Sequence, residues 1–174
     1  RRRQRHRLVL DRHLLCAATP NPTHPNGRLW SHASPPAFSV VPGVDQTLPA
    51  KDKMMAPRYQ DIPSEDIPEA TSDDGKVWAK VIAGQALGVQ AVIDTVIPIT
   101  YIHLKMQPGA TYTHTCEHDH NVMIYAFGGS MDIEGRSLHD GGLGLLSEGD
   151  AVTLVAEEDG AELLILGGPE LGEP

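Results

Sequence analysis

From residue 71 onward, apolar and polar residues alternate in short runs that end at glycine-rich or proline-rich turns. The side chains predicted to point inward are Ile102, Leu104 and Met106 in one run, and Val152, Leu154 and Ala156 in another. A period of two residues is typical of a strand with one buried face. No stretch carries ten residues of amphipathic helical period, so the pattern predicts an all-β sandwich or barrel of about eight short strands.

Turn residues set the predicted ends of these strands. The predicted strands span residues 76–83, 97–106, 122–127, 131–134, 143–146, 151–156 and 161–166. Gly128-Gly129 separates the third strand from the fourth, and Asp159-Gly160 separates the last two. Glycine-containing pairs of this kind end strands and reverse the chain, so each is expected to be a break.

The first 47 residues follow neither period. They contain six prolines and few large apolar side chains, so they cannot bury enough surface to offset the entropy of ordering. We predict a disordered or irregular segment at 1–47, or one read from a wrong frame or start. An extended linker follows at 48–70, and a single barrel domain at 71–174.

The charge is divided between these parts. The whole chain has a net charge of −9, but residues 51–174 hold seven basic and 21 acidic side chains, a balance of −14. Such a domain repels phosphate, which argues against nucleic-acid binding by the barrel. The arginines of residues 1–7 form a basic arm that would suit nucleic acid or anionic lipid. No aromatic residue interleaves with them, so disorder is the favoured interpretation.

Cysteine usage and hydropathy indicate a compartment. Cys16 and Cys116 form no disulfide framework, which suits a reducing environment. No apolar run reaches the ~18 residues that a membrane span needs. Residues 1–18 loosely resemble an export signal, but residues 11–13 interrupt its apolar stretch. We therefore expect a cytoplasmic protein with no membrane partner, or a nuclear one in a eukaryote.

The segment 113–121 holds the candidate chemistry. If it is extended, one face carries His114, Cys116, His118 and His120, and the other carries Glu117 and Asp119. A His-x-His pair on a strand directs both imidazoles to the same side, and such pairs hold iron, manganese, nickel or zinc with a third histidine and a carboxylate. The candidate metal ligands are therefore His114, His118 and His120. Cys116 is an alternative to His114 as the third ligand, and Glu117 would have to turn inward to supply a carboxylate.

This His-x-His pattern resembles that of the cupin superfamily, which implies four ligands. The expected glutamate falls at Ile124 or Tyr125, and the expected last histidine falls at Val152. These side chains cannot act as ligands in their place, so the alternative of a polar loop with solvated histidines stays open. We assign no catalytic or cofactor-binding residue, and we expect no resident cofactor. Cys116 is not a favoured nucleophile, because neighbouring carboxylates raise a thiol pKa.

Several stretches of residues 48–174 resemble the C-terminal cupin half of the pirin family. They are the linker 48–60, the segments 81–84 and 95–103, the strand 120–127, the motif 148–154 and the closing run 164–174. The resemblance implies a jelly-roll barrel. In that family the N-terminal cupin binds iron through three histidines and a glutamate, and the C-terminal cupin usually binds none. No iron ligand can be carried over to residues 1–47, so iron is implied by the resemblance alone.

Three functions follow from this resemblance. The first is a structural or partner-binding cupin without catalysis. The second is an iron-dependent quercetin 2,3-dioxygenase-like enzyme that would use the three histidines on a flavonol. The third, by analogy with animal pirins, is a transcription cofactor. We expect the chain to be a fragment of a two-cupin protein or a misread gene, with an exposed barrel face that meets the N-terminal half or a second copy.

Overall fold

The computed structural model describes residues 48–57, 60–147 and 149–173, together with the backbone of Leu8–Val9. These residues form eleven strands and one short 3-10 helix, Ser64–Asp66. In chain order the strands are β1 (Leu8–Val9), β2 (Glu69–Thr71), β3 (Val77–Ala83), β4 (Gln85–Ala86), β5 (Val89–Gln90), β6 (Thr100–Met106), β7 (Thr111–Thr115), β8 (His120–Ile133), β9 (Arg136–His139), β10 (Leu143–Leu146) and β11 (Ala151–Pro169). The predicted all-β class is confirmed. Apart from β1, the predictions for residues 1–47 lie outside the described residues.

β8 and β11 are the longest strands, and they pair with each other over much of their length. Every strand pair that the structure describes is antiparallel, and the main sheet has the order β1-β10-β8-β11-β6-β3-β2. β7 pairs with the first part of β11, and β9 pairs with the last part of β8. β7, β9 and the parts of β8 and β11 that pair with them form the smaller leaf of the sheet. The rest of β8 and β11, together with β10, β6, β3 and β2, forms the larger leaf.

Inward side chains from both leaves meet in one hydrophobic core. Buried residues alternate with more exposed ones along β6 and along the first part of β11, so the inward positions predicted for both runs are confirmed. The largest fully buried side chains are Ile102, Leu104, Ile124, Met131, Ile133, Leu154, Leu163, Ile165, Val77 and Val81. The interior is therefore packed with hydrocarbon, whose removal from water is the main favourable contribution to folding.

Two of the predicted strand ends are wrong. β8 runs through residues 128–129, and β11 runs through residues 159–160, without leaving the sheet. Gly129 and Gly160 have φ angles of 66° and 74°, a conformation that bends the backbone and that glycine adopts without steric cost. The pairing register shifts beside them, between residues 156 and 161. The glycines bend two continuous strands together, as β-bulges do, where the sequence pattern predicted four separate strands.

The edges of the sheet extend beyond the predicted barrel. β2 pairs with β3, so this edge of the sheet includes Glu69 and Ala70, which precede the domain start predicted at residue 71. Ile67 is buried just before β2. At the opposite edge, Leu8–Val9 pairs with the end of β10. The part of the chain that the structure describes contains no helix with the length and hydropathy of a membrane span.

A carboxylate fastens the bend of β11 to the β8–β9 hairpin. The hydroxyls of Ser137 and Ser130 each donate a 2.7 Å hydrogen bond to Glu157. These two bonds lower the pKa of Glu157 from its ordinary 4.5. Since the folded-state pKa lies below the unfolded one, this contribution to stability is present above pH 4.5 and is lost as the pH falls through the folded-state pKa.

The bend itself can be tested at Gly129. A Cβ added there would overlap the backbone carbonyl oxygen of Gly160, which cannot move aside as a flexible side chain could. We expect Gly129→Ala to lower the free energy of unfolding by about 3 kcal/mol or more, because backbone strain and steric overlap add. Chemical denaturation followed by circular dichroism measures the loss.

Gly135→Ala is the matched control. Gly135 also has a positive φ, of 84°, but a Cβ there meets nothing within 4 Å. Gly135→Ala should lower the free energy of unfolding only by the cost of a positive φ at alanine, about 1–2 kcal/mol. Equal losses in the two variants would contradict the close approach of the two strands at the bend.

Candidate functional site

The strand that was predicted to carry the metal ligands is shorter than the histidine-rich segment. β7 ends at Thr115, and its inward side chains are Tyr112 and His114. Cys116 continues the inward row, and its backbone N–H donates to the carbonyl oxygen of Asp150 at 2.9 Å. His114 and Cys116 are 5% and 9% exposed, so they share the buried face as predicted.

A turn follows, and it moves His118 to the surface. The backbone N–H of His120 donates to the carbonyl oxygen of Glu117 at 3.1 Å, which closes the turn. The side chain of His118 is 66% exposed, and its Nδ1 lies 3.4 Å from a carboxylate oxygen of Asp150. The prediction that His118 shares a face with His114, Cys116 and His120 is therefore wrong, because the chain does not stay extended between residues 116 and 120.

His120 returns to the inward side at the start of β8. It is 8% exposed, and it and His114 are the buried polar side chains among the described residues. The ring nitrogen Nδ1 of His114 lies 3.3 Å from the hydroxyl of Tyr112. Burial raises the pKa of that tyrosine to about 12, so its phenol stays neutral at physiological pH. The inward end of β7 thus holds a neutral phenol hydrogen-bonded to an imidazole, next to hydrocarbon side chains.

The two remaining positions of the cupin-like ligand set are apolar. Ile124 and Val152 are both fully buried. Val152 lies directly across from His114 in the pairing of β11 with β7. Tyr125, the other residue at which the glutamate was expected, faces outward and is 38% exposed. A hydrocarbon side chain has no lone pair to give a metal, so two of the four expected ligand positions carry no donor, and a third, His118, lies on the surface.

The described residues do not fit an iron site. Within them, no group of three or more His, Cys, Asp or Glu side chains is arranged to hold a metal ion. Two surface clefts, of about 200 and 360 Å³, are lined by other parts of the chain and by none of the three predicted histidine ligands. The set of His114, His118 and His120 stays a prediction, with His118 on the surface and the other two buried.

Cys116 has the raised thiol pKa that the sequence predicts, but for a different reason. Its pKa is raised to about 11, and the cause is burial. The carboxylates of Glu117 and Asp119, which the sequence offered as the cause, are both exposed. A thiol is nucleophilic only as the thiolate, so Cys116 is chemically inert in the folded barrel.

The outward face of the larger leaf carries an apolar patch. It consists of Met123 and Tyr125 on β8 and Leu143 and Leu145 on β10, and we call it the outer patch. In the β10–β8 pairing Leu143 lies opposite Tyr125, and Leu145 lies opposite Met123. All four side chains are 36–38% exposed. Cross-strand pairs of this kind form one continuous surface, and an exposed apolar surface is a common mark of an interface.

A row of rings extends this patch across the leaf. Tyr125 stacks on Phe127 with centroids 6.2 Å apart, and Phe127 lies 5.4 Å from the imidazole of His103. His103 in turn meets Trp78 edge-on at 5.2 Å. We call these four side chains the aromatic row. From the sequence, His103 is interpreted as an isolated surface or turn residue, but it lies inside β6 with a side chain that is only 19% exposed. The signal that could have found this row is the presence of aromatic residues at outward positions of several strands.

His103 is also bound to a carboxylate. Its Nε2 lies 2.7 Å from an oxygen of Glu162, and the ammonium of Lys105 lies 3.1 Å from the same oxygen. Burial lowers the pKa of His103, while Glu162 acts in the opposite direction and is outweighed. The imidazole is therefore uncharged at neutral pH.

A family model described as the pirin C-terminal cupin domain matches residues 101–174. This chain carries a pirin C-terminal cupin domain. The strands of this chain form the jelly-roll barrel that the resemblance implied.

Curated relatives agree with this assignment. The chain is 31% identical to mouse pirin over 132 residues, which is 73% of this chain and 45% of the relative. It is 33% identical to a putative quercetin 2,3-dioxygenase of Pseudomonas aeruginosa, over 73% of this chain and 47% of the relative. The chain thus spans about half the length of the curated relatives it matches.

Solved structures show the same barrel. A quercetin 2,3-dioxygenase from Acinetobacter baumannii superposes with a TM-score of 0.67 at 28% identity, over 73% of this chain and 44% of that one. The protein GK1651 from Geobacillus kaustophilus superposes with a TM-score of 0.66 at 26% identity, over 73% of this chain and 53% of that one.

The low reactivity of the Cys116 thiol in the folded chain can be tested directly. At pH 8, a pKa of about 11 leaves about one thiol in a thousand as the thiolate, so alkylation should be at least ~100-fold slower than in the unfolded chain. Mass spectrometry of the peptide containing Cys116, after iodoacetamide treatment with and without denaturant, gives both rates. Similar rates in the two conditions would show that the thiol is accessible in the folded state.

Proposed function

We propose that this chain is a pirin-like protein whose cupin acts as a structural, partner-binding domain with no metal-dependent catalysis of its own. The observation that carries this proposal is the fully buried hydrocarbon at Ile124 and Val152, the positions where a cupin metal site needs a carboxylate and an imidazole. At these two positions a metal ion would meet hydrocarbon in place of ligands. The free energy lost when the ion gives up its water would therefore be largely uncompensated by bonds to the protein.

The alternative is a quercetin 2,3-dioxygenase-like enzyme that uses His114, His118 and His120 as iron ligands. Its support is the naming of two relatives as putative quercetin 2,3-dioxygenases and the burial of His114 and His120. Since the chain spans about half of those relatives, their activity does not transfer directly to it. A cytoplasmic location, supported by the free, buried thiol of Cys116, is likewise part of the proposal.

Metal content separates the two functions. We expect the purified chain, incubated with ferrous iron and desalted, to hold far less than one iron per chain by mass spectrometry, because the interior offers too few ligands. The double variant His118→Ala with His120→Ala should hold the same small amount. So should the control His139→Ala, whose side chain is exposed on β9.

The enzyme interpretation makes the opposite prediction. One iron per chain, lost in the double variant and retained in His139→Ala, would overturn the non-catalytic proposal. Iron-dependent consumption of quercetin by the same preparations, absent from the double variant, would then identify the reaction.

For the partner, we propose a second copy of this chain, bound through the outer patch. Residues 51–174 carry a balance of −14, so two copies repel each other wherever charged surfaces meet. The outer patch is uncharged, and half-buried Leu164 and Leu166 continue it on the neighbouring strand β11. Association there removes apolar surface from water without bringing like charges together.

Sedimentation equilibrium tests this association. At neutral pH we expect the chain to approach twice its mass of 18.8 kDa as its concentration rises. Leu145→Lys should remain monomeric, because dimerisation would bury an ammonium against apolar groups. The matched control is Val155→Lys, since Val155 is equally exposed, at 36% against 37%, but lies on the part of β11 that pairs with β7.

The control should dimerise like the parent chain. A parent chain that is monomeric at every concentration, or equal weakening by the two lysines, would contradict the outer patch as the interface. The next partner to test on the outer patch would then be a separate cupin barrel.

A further inference from the structure

His103 lies in the middle of the aromatic row, which joins the outer patch at Tyr125. Its ring is in contact with Trp78 on one side and Phe127 on the other. Its side chain is 19% exposed, so most of the imidazole is already out of water. Any partner that covers the outer patch and extends along the row would remove the remaining water from it.

The charges around His103 are already matched. Lys105 on its own strand pairs with Glu162 of β11, at 3.1 Å. On β3, the register partner of His103 is Lys80, whose ammonium pairs with Glu69 of β2 at 3.0 Å. The contact from β8 is with Phe127, which is uncharged. Two cations and two carboxylates therefore balance while the imidazole is neutral.

Protonation of His103 adds an unmatched positive charge to this group of side chains. The added charge shares the Glu162 oxygen with Lys105, and both Lys105 and Lys80 disfavour it by like-charge repulsion. In the free chain the remaining exposed edge of the ring can still be hydrated. Against a partner surface that hydration is lost, and a buried charge without a partner of its own is costly.

We propose that His103 makes the self-association of this chain sensitive to pH: the neutral imidazole belongs to the interface, and the protonated one weakens it. This inference rests on the proposed dimer and adds its regulation. By linkage, a group that binds protons more weakly in the dimer than in the monomer drives dissociation as the pH falls through its titration range. For a histidine that range lies between neutral and mildly acidic pH.

Sedimentation equilibrium of the full chain at about pH 8 and at about pH 5.5 measures the effect. We expect the dissociation constant of the dimer to rise by about tenfold or more at the lower pH, which requires the pKa of each of the two His103 side chains to differ by at least about half a unit between monomer and dimer. In His103→Gln the dissociation constant should be the same at both pH values. His139→Gln, which removes an exposed histidine from β9, should keep the full change.

A second variant keeps the test valid if His103→Gln disturbs the sheet. Glu162 favours protonation of His103, so Glu162→Gln should lower the pKa of His103 and move the loss of dimer to lower pH. Near-ultraviolet circular dichroism verifies that each variant is folded.

The outcomes distinguish the two proposals. A dimer whose dissociation constant is unchanged at pH ~5.5, or a His103→Gln variant with the parent's pH dependence, overturns the role of His103 and leaves the dimer in place. A parent chain that is monomeric at pH ~8 overturns the proposed partner, and the regulation fails with it.

Discussion

The backbone carbonyl oxygen of Gly160 passes so close to Gly129 that β8 could carry no side chain there, and a side chain at Gly160 would in turn meet the backbone carbonyl oxygen of Met106. The rest of the barrel depends on this approach, because it lets the two longest strands bend together while they remain paired. One side of the bend then holds β7 and β9, and the other holds β10, β6 and β3. The inward sides of both leaves share one core because the bend turns them towards each other.

That core determines what the interior can do. The alternation that buries a strand face assigns every second position to the inside, and here most of those positions are hydrocarbon. The few polar groups that enter are a phenol hydrogen-bonded to the imidazole of His114, the imidazole of His120 and the thiol of Cys116, and burial keeps the phenol and the thiol protonated. The chemistry of the molecule is therefore concentrated on the outward face of the larger leaf, where apolar side chains, rings and charges are all within reach of a partner.

Much of this could be predicted from the sequence, because the period of two is a local property. It identified the inward residues of β6 and β11, and it placed His114 and Cys116 on one face. It failed at His118, since a turn closed by a single backbone hydrogen bond leaves no mark on the alternation. It also treated the glycine pairs as strand ends, because a bend and a reversal use the same residue.

The surroundings of His103 could not be read from its own strand. Its neighbours come from β3, β8 and β11, which lie 24 to 59 residues away in the chain, and their meeting depends on the pairing order of the sheet. The sequence pattern shows that each of these aromatic residues lies at an outward position of its own strand. What the sequence could not supply was the register that brings Trp78, His103 and Phe127 into one line.

Fully buried Ile124 and Val152 also limit how the barrel can change. To give it a complete ligand set, a carboxylate and an imidazole would have to replace two well-packed side chains on different strands, and His118 would have to turn in from the surface. Either replacement alone would bury an unsatisfied polar group and leave a defect in the packing, at a cost of several kcal/mol, a large part of the stability margin of a small domain. Each change is costly before the others are made, so single substitutions in this interior lead towards a metal centre only through destabilised intermediates.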